Sequence, residues 1–217
     1  MSIYQPPAHT GLDLVHADDH IVVVIKPAGL LAVPGRGEDK ADCLLSRVQL
    51  EYPDAMTVHR LDMDTSGLVI FGRGPLMQRD LSVAFMDRQV DKRYVAVVGG
   101  EIAADGEVNL PLIVDWPNRP LHHVNFETGK PSHTRFWRVA FDAASNSSRV
   151  DLEPVTGRTH QLRIHMQAIG HPMLGDTLYG GPEWSPRAPR LLLHARLLSL
   201  QHPVSGAAMT FDAPAPF

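Results

Sequence analysis

The sequence predicts a chain that mixes short strands with a few amphipathic helices, and two observations carry that reading. Unbroken β-branched or apolar runs, IVVVI at residues 21–25 and LVIF at residues 68–71, have the length and composition of interior strands. Other stretches carry apolar residues at helical spacing between recognisable start and stop residues, most plainly Met77, Leu81 and Phe85 after Gly74-Pro75.

Composition bounds the class. With 217 residues, 44% hydrophobic and 20% charged, the chain has the profile of a soluble globular protein of one large or two small domains. No apolar run approaches the roughly 18 residues that span a membrane. The N-terminus MSIYQPPAHTG lacks the basic and apolar regions of a secretory signal. Cys43 is the one cysteine, which excludes an internal disulfide and fits a reducing cytoplasm. A net charge of −4 argues against a broad basic face for nucleic acid but leaves room for a local patch. Candidate pieces of a patch are Lys92 with Arg93, Arg135 with Arg138, and Arg158 with Arg163, with histidines adding charge near phosphate.

Taken in order, residues 1–14 are expected to be loosely ordered. The strand at residues 21–25 ends in the turn Lys26-Pro27-Ala28-Gly29. Residues 42–52 read as a helix with Asp42 as N-cap and Leu44, Leu45, Val48 and Tyr52 on one face, ended by Pro53. The strand at residues 68–71 leads into the helix opened by Gly74-Pro75, and residues 94–98 form another strand. From residue 106 to 139 short strands and turns are expected, including 110–114 and 136–140. Residues 142–148 read as a hairpin loop before a strand at 149–153. A helix over residues 160–169, capped by Thr159 and closed by Gly170, precedes late strands at 191–193 and 197–200.

The chemistry-bearing stretch is VHRLDMDTSGLVIFG, residues 58–72. Its first half crowds His59, Arg60, Asp62, Asp64, Thr65 and Ser66 into a segment with no amphipathic period. It therefore reads as a charged loop fixed to a core strand, a common setting for catalysis. Composition alone also allows a solvated, ion-paired turn.

HRLDMDTSG resembles the HRLD-x-x-TSG motif of the RluA-type pseudouridine synthases, enzymes that isomerise uridine inside folded RNA. The likeness runs from residue 15 to the C-terminus through KPAG, GRTHQLRIH, LGD (Leu174, Gly175, Asp176) and LHA (Leu193, His194, Ala195). LPLIVDWPNRP and FETGKPSHT resemble the subgroup that modifies both transfer RNA and ribosomal RNA. Ile25 stands where the family usually has Asn or Asp before Lys-Pro. The resemblance implies an α+β fold on a mixed, mainly antiparallel sheet with flanking helices and a central catalytic cleft. It implies a single catalytic domain over residues 1–217, without the extra N-terminal RNA-binding domain of many relatives.

The resemblance also assigns roles. Asp62 is the catalytic carboxylate, as nucleophile on the sugar or the ring or as base on the ribose. Arg163 pairs with the catalytic aspartate and favours its anion. Tyr94 stacks on the flipped base and helps remove the proton from ring carbon five. Arg60 fills the space the base vacates. His59, Arg158, His160 and Gln161 are candidates for contact with RNA. Each residue type has a plainer use: Tyr94 as half-buried core, Arg163 as a helix-surface cation, Arg60 as an ion-pair partner of Asp64. The position of Asp64 varies in the family, and a second carboxylate there could raise the pKa of Asp62.

Isomerisation adds no group and changes no oxidation state, so neither cofactor nor metal is expected. His160 and His165 lie five apart, a poor spacing for one helix face, and His122-His123 lacks an acidic neighbour in sequence. The expected partners are stem-loops of transfer RNA (the anticodon arm) and 23S ribosomal RNA, with no membrane, acted on by a cytoplasmic monomer. A non-catalytic RNA-binding module and a metal-dependent hydrolase are the rivals from other classes.

Overall fold

The computed structural model describes residues 4–217; the expectation for residues 1–3 lies outside them. The chain forms two compact units. The first runs to Lys92 and takes up Ala195–Pro216 again, and the second holds Arg93–His194 with Phe217.

In the first unit, β1 (Leu14–Ala17) pairs antiparallel with β2 (Ile21–Lys26), and β2 pairs antiparallel with β4 (Ser66–Arg73). The short β3 (Ala55–Thr57) lies along the other end of β4. Two late strands complete this unit: the part of β11 (Leu193–Gln201) from Ala195 onward, which neighbours β4, and β12 (Ala208–Asp212), which pairs antiparallel with β11. The predicted interior strands are interior, since Ile21 to Val24 and Leu68 to Phe71 are all buried. Ile21, Val23, Leu68 and Ile70 form one cluster with Leu81 of α2 (Gly74–Met86), Leu198, Leu200 and Phe211. Each such side chain contributes roughly 1.5–3 kcal/mol by leaving water.

Helix α1 (Leu44–Glu51) starts later than expected. Cys43, not Asp42, is its N-cap: the Cys43 sulfur accepts from Ser46 N–H, and the Ser46 hydroxyl accepts from Cys43 N–H at 3.0 Å. The Asp42 carboxylate instead takes Arg47 through Nε and Nη2, both at 2.8 Å, and Arg47 holds it below its usual pKa. The same guanidinium donates to Pro7 O at 2.6 Å. Tyr4 donates to Asp42 O and accepts from Leu31 N–H, each at 3.0 Å. Residues 4–13 therefore carry hydrogen bonds to this unit although they form no regular element.

In the second unit, β5 (Asp91–Gly99, in this unit from Arg93), β10 (Ser147–Pro154), β9 (His133–Asp142) and β6 (Asp105–Asn109) follow one another antiparallel. β9 and β10 form the expected hairpin. β7 (Leu112–Val114) and β8 (His122–Val124) make a separate two-stranded ribbon. Helix α3 (Gln161–Ala168) lays Leu162 and Met166 into a core with Ala96, Val98, Phe136, Val150 and Leu152. Thr159 does not cap α3. The cap position is His160, in the left-handed region at φ 55, and it gives no side-chain capping bond. α4 (Gly181–Trp184) is a single turn. Of the run expected at 191–193 only Leu193 is in a strand, and that strand, β11, continues through exposed Arg196 into the run at 197–200.

Candidate active site

The loop before β4 is held by its backbone. Lys26, fully buried at the end of β2, donates from Nζ to Leu30 O at 2.6 Å, Met63 O at 2.8 Å and Pro27 O at 2.9 Å. Met63 O also accepts Gly29 N–H at 2.9 Å, so the Lys-Pro-Ala-Gly turn grips the loop at the residue after Asp62. Three carbonyls around one ammonium are a full complement for a buried lysine. Within the loop, Thr65 N–H donates to Asp62 O at 3.2 Å, and Thr65 and Ser66 are buried.

Gly67 explains the end of the motif. At φ 120, its missing Cβ would lie 2.3 Å from Ala195 O and 2.5 Å from Ala195 N. No larger residue fits between the two backbones. The TSG and LHA motifs are thus one close approach of β4 and β11.

His59 supports the same loop. Its Nε2 accepts Ile70 N–H from β4 at 3.1 Å, and its ring stacks on Phe85 of α2 with centroids 4.4 Å apart. Burial of the ring, with the Lys92 charge second, pushes its pKa down to about 3, so it is a neutral acceptor at physiological pH. His59 thus anchors the loop to β4 and α2. Asp62 and Asp64 are partly buried, and Arg60 is exposed.

In the second unit the motif side chains themselves hold the structure. Gln161 is buried with all four of its hydrogen-bonding positions used inside the unit. Nε2 donates to His133 O at 2.9 Å and Thr134 Oγ1 at 3.0 Å; Oε1 accepts from Thr156 Oγ1 at 2.7 Å and Arg158 N–H at 3.0 Å. Gln161 thereby clamps the start of α3 to β9 and the loop after β10. His160 Nδ1 takes the hydroxyl of Tyr179 at 2.7 Å, while that oxygen accepts His122 N–H at 3.0 Å. His165 is turned elsewhere, with Nδ1 at Thr134 Oγ1 and Nε2 at Leu110 O. His160, at the cap position, and His165, inside α3, therefore serve different neighbours.

Arg163 and Asp176 form a buried, two-armed ion pair: Nε to Oδ2 at 2.8 Å and Nη2 to Oδ1 at 2.6 Å. The Arg163 guanidinium lies 5.1 Å from the centroid of the Tyr179 ring. Tyr94 is partly buried and packs against the core of this unit. Arg158 is exposed, with Nε donating to Pro131 O at 3.3 Å.

Most of the cations proposed for a basic patch are engaged within the protein. Arg93 pairs with Glu153 and lies over Trp137; Arg135 pairs with Glu107 and Glu153; Arg138 pairs with Glu101. Burial and then the Arg88 charge lower the pKa of Lys92. Sequence reasoning gave no role to Lys26 Nζ, Asp176, Tyr179 or Thr134, although KPAG and LGD marked the first two.

This fold and these motifs define a class, and the comparisons agree with it. Residues 20–168 match the family described as RNA pseudouridylate synthase. The chain belongs to that family, and its activity is that of an isomerase acting on RNA. Over 218 residues it is 51% identical to the dual-specificity RNA pseudouridine synthase RluA of Escherichia coli (strain K12), covering 100% of this chain and 99% of the relative. The protein of the same name from Pasteurella multocida (strain Pm70) is 47% identical, with 99% and 98% covered. Among solved structures, human RNA pseudouridylate synthase domain containing 1 matches with a TM-score of 0.79 and 27% identity, covering 98% of this chain and 87% of that one. The human domain-containing 4 protein, at 22% identity and a TM-score of 0.74, shares the fold.

Proposed function

We propose that the chain isomerises uridine to pseudouridine in stem-loops of both transfer RNA (the anticodon arm) and 23S ribosomal RNA, with Asp62 as the catalytic carboxylate. The single observation that carries the role of Asp62 is the loop's anchorage. Met63 O, next in the chain, is gripped by Lys26 and Gly29, so the backbone that carries Asp62 is held in place. The dual substrate choice is supported by the name of the relatives that match over their full length and by LPLIVDWPNRP and FETGKPSHT.

The reaction breaks the bond from ribose carbon to base nitrogen, turns the base, and remakes the bond to carbon five, which loses its proton while the freed ring nitrogen takes one up, directly or by way of solvent. One ionised carboxylate suffices as nucleophile or base. Tyr94 and Arg163 are the further catalytic groups, Tyr94 against the base and toward the carbon-five proton. Arg60 and Arg158, both exposed, serve the RNA: Arg60 in the space left by the flipped base, Arg158 near phosphate. His59, His160 and Gln161 support these groups from within. The enzyme works as a cytoplasmic monomer; no helix among the described residues is long and apolar enough to cross a membrane.

The test is incubation with isolated anticodon arms and 23S hairpins, followed by intact mass and nucleoside digestion. Unchanged mass with pseudouridine in both RNAs is expected. Activity confined to assembled ribosomal particles, or a change in RNA mass, overturns the proposal.

A further inference from the structure

Arg163 is buried, yet a lone buried guanidinium is costly unless its charge and donors are met. Asp176 meets them with unusual completeness. Its Oδ2 accepts Arg163 Nε, while Oδ1 accepts Arg163 Nη2 together with Leu178 N–H at 2.9 Å and Tyr179 N–H at 3.0 Å. The carboxylate is fixed by its own turn, so the plane of the guanidinium is fixed with it. Tyr179 covers one face, and its hydroxyl is in turn held by His122 and His160. Gly175 completes the support: at φ 73, its Cβ would fall 1.8 Å from Arg190 O, so this turn admits no side chain before Asp176.

We infer that Asp176 is a positioning residue for catalysis, which turns Arg163 from a point charge into a directed donor. The inference rests on Arg163 being a catalytic group. The Arg163–Asp176 pair is neutral as a whole, so its contribution to the reaction is the direction of the N–H groups not given to Asp176 rather than a net positive field. The LGD motif then has a function: its glycine makes the turn and its aspartate aims the arginine.

Asp176→Asn tests this at one atom. The amide oxygen can keep the place of Oδ1 and its three donors, which preserves the turn. The amide NH₂ then faces Arg163 Nε–H, donor against donor, and the fork is lost. The single-turnover rate on an anticodon arm is expected to fall about 10- to 100-fold, as for loss of a charged hydrogen bond, while RNA affinity stays that of the parent. In the Arg163→Ala background, adding Asp176→Asn is expected to slow the reaction no further, because its effect passes through Arg163. Multiplication of the two losses would overturn the positioning role. A parental rate in Arg163→Ala alone would instead overturn the catalytic reading of Arg163. Should Asp176→Asn fail to fold, Arg163→Lys keeps the charge but cannot form the planar fork, and is expected to lose rate to the same extent. A parental rate in Arg163→Lys would show that charge suffices and overturn the inference.

Discussion

The two motif-bearing segments of this protein are held in opposite ways. HRLDMDTSG is tied down through backbone atoms: Met63 O to Lys26 and Gly29, and Gly67 against Ala195. GRTHQLRIH is tied down through its own side chains, with Gln161 and Arg163 both buried and engaged. The first arrangement fixes the backbone that carries the chemistry-bearing side chains. The second makes most of them the scaffold, so a polar residue in a motif is no guide by itself to contact with substrate. His59, inside the first segment, is also a motif side chain used as an anchor.

Breaking the backbone anchorage should have the largest effect on stability. Lys26→Met leaves Pro27 O and Leu30 O without their ammonium donor and Met63 O with Gly29 alone. Denaturant titration is expected to show a loss of about 3 kcal/mol or more, with the single-turnover rate falling as the loop loosens. Gln161→Leu should be milder, about 2 kcal/mol, because the hydrogen bonds it removes are between neutral groups. The folded variant is expected to bind RNA like the parent; a selective loss of RNA affinity would return Gln161 to the substrate surface.

The His59 anchor sharpens the comparison through pH. Its folded pKa, about 3, lies below the ordinary value of 6.5, so below pH 6.5 the unfolded chain binds the proton that the folded one refuses. The stabilisation is complete above that pH and declines as pH falls toward 3, by at most about 1.4 kcal/mol per unit. His59→Gln should remove this part of the slope from a pH series of unfolding curves. An unaltered slope would mean that other groups carry it. The smallest expected effect is that of Arg158→Ala. It should leave stability unchanged within about 0.5 kcal/mol and reduce the salt dependence of RNA binding by about one phosphate contact.

What the sequence made legible was local. β2 and β4 were visible as unbroken apolar runs, and α2 through Gly74-Pro75 and the four-residue recurrence of Met77, Leu81 and Phe85. β1 was not visible, because LVHA is short and largely exposed. The start of α1 was misread because Asp42, an ordinary cap, is drawn to Arg47 and leaves the cap to a cysteine. Thr159 was misread because the chain enters α3 through a left-handed residue instead of a side-chain cap. In the candidate site, the motifs were recognisable but their mutual supports were not. Lys26 reaches Met63 across 37 positions and Gly67 meets Ala195 from opposite ends of the chain, and no local pattern encodes such pairings.

The central claim is that Asp62 does the chemistry. The most direct measurement is the single-turnover conversion of an anticodon arm by Asp62→Asn, made beside its RNA affinity and unfolding curve. Removing the charge while keeping the size should abolish conversion, a fall of about a thousandfold or more, with RNA affinity and stability close to the parent's. Conversion at a measurable fraction of the parental rate, or a loss of activity explained by unfolding, would contradict the account.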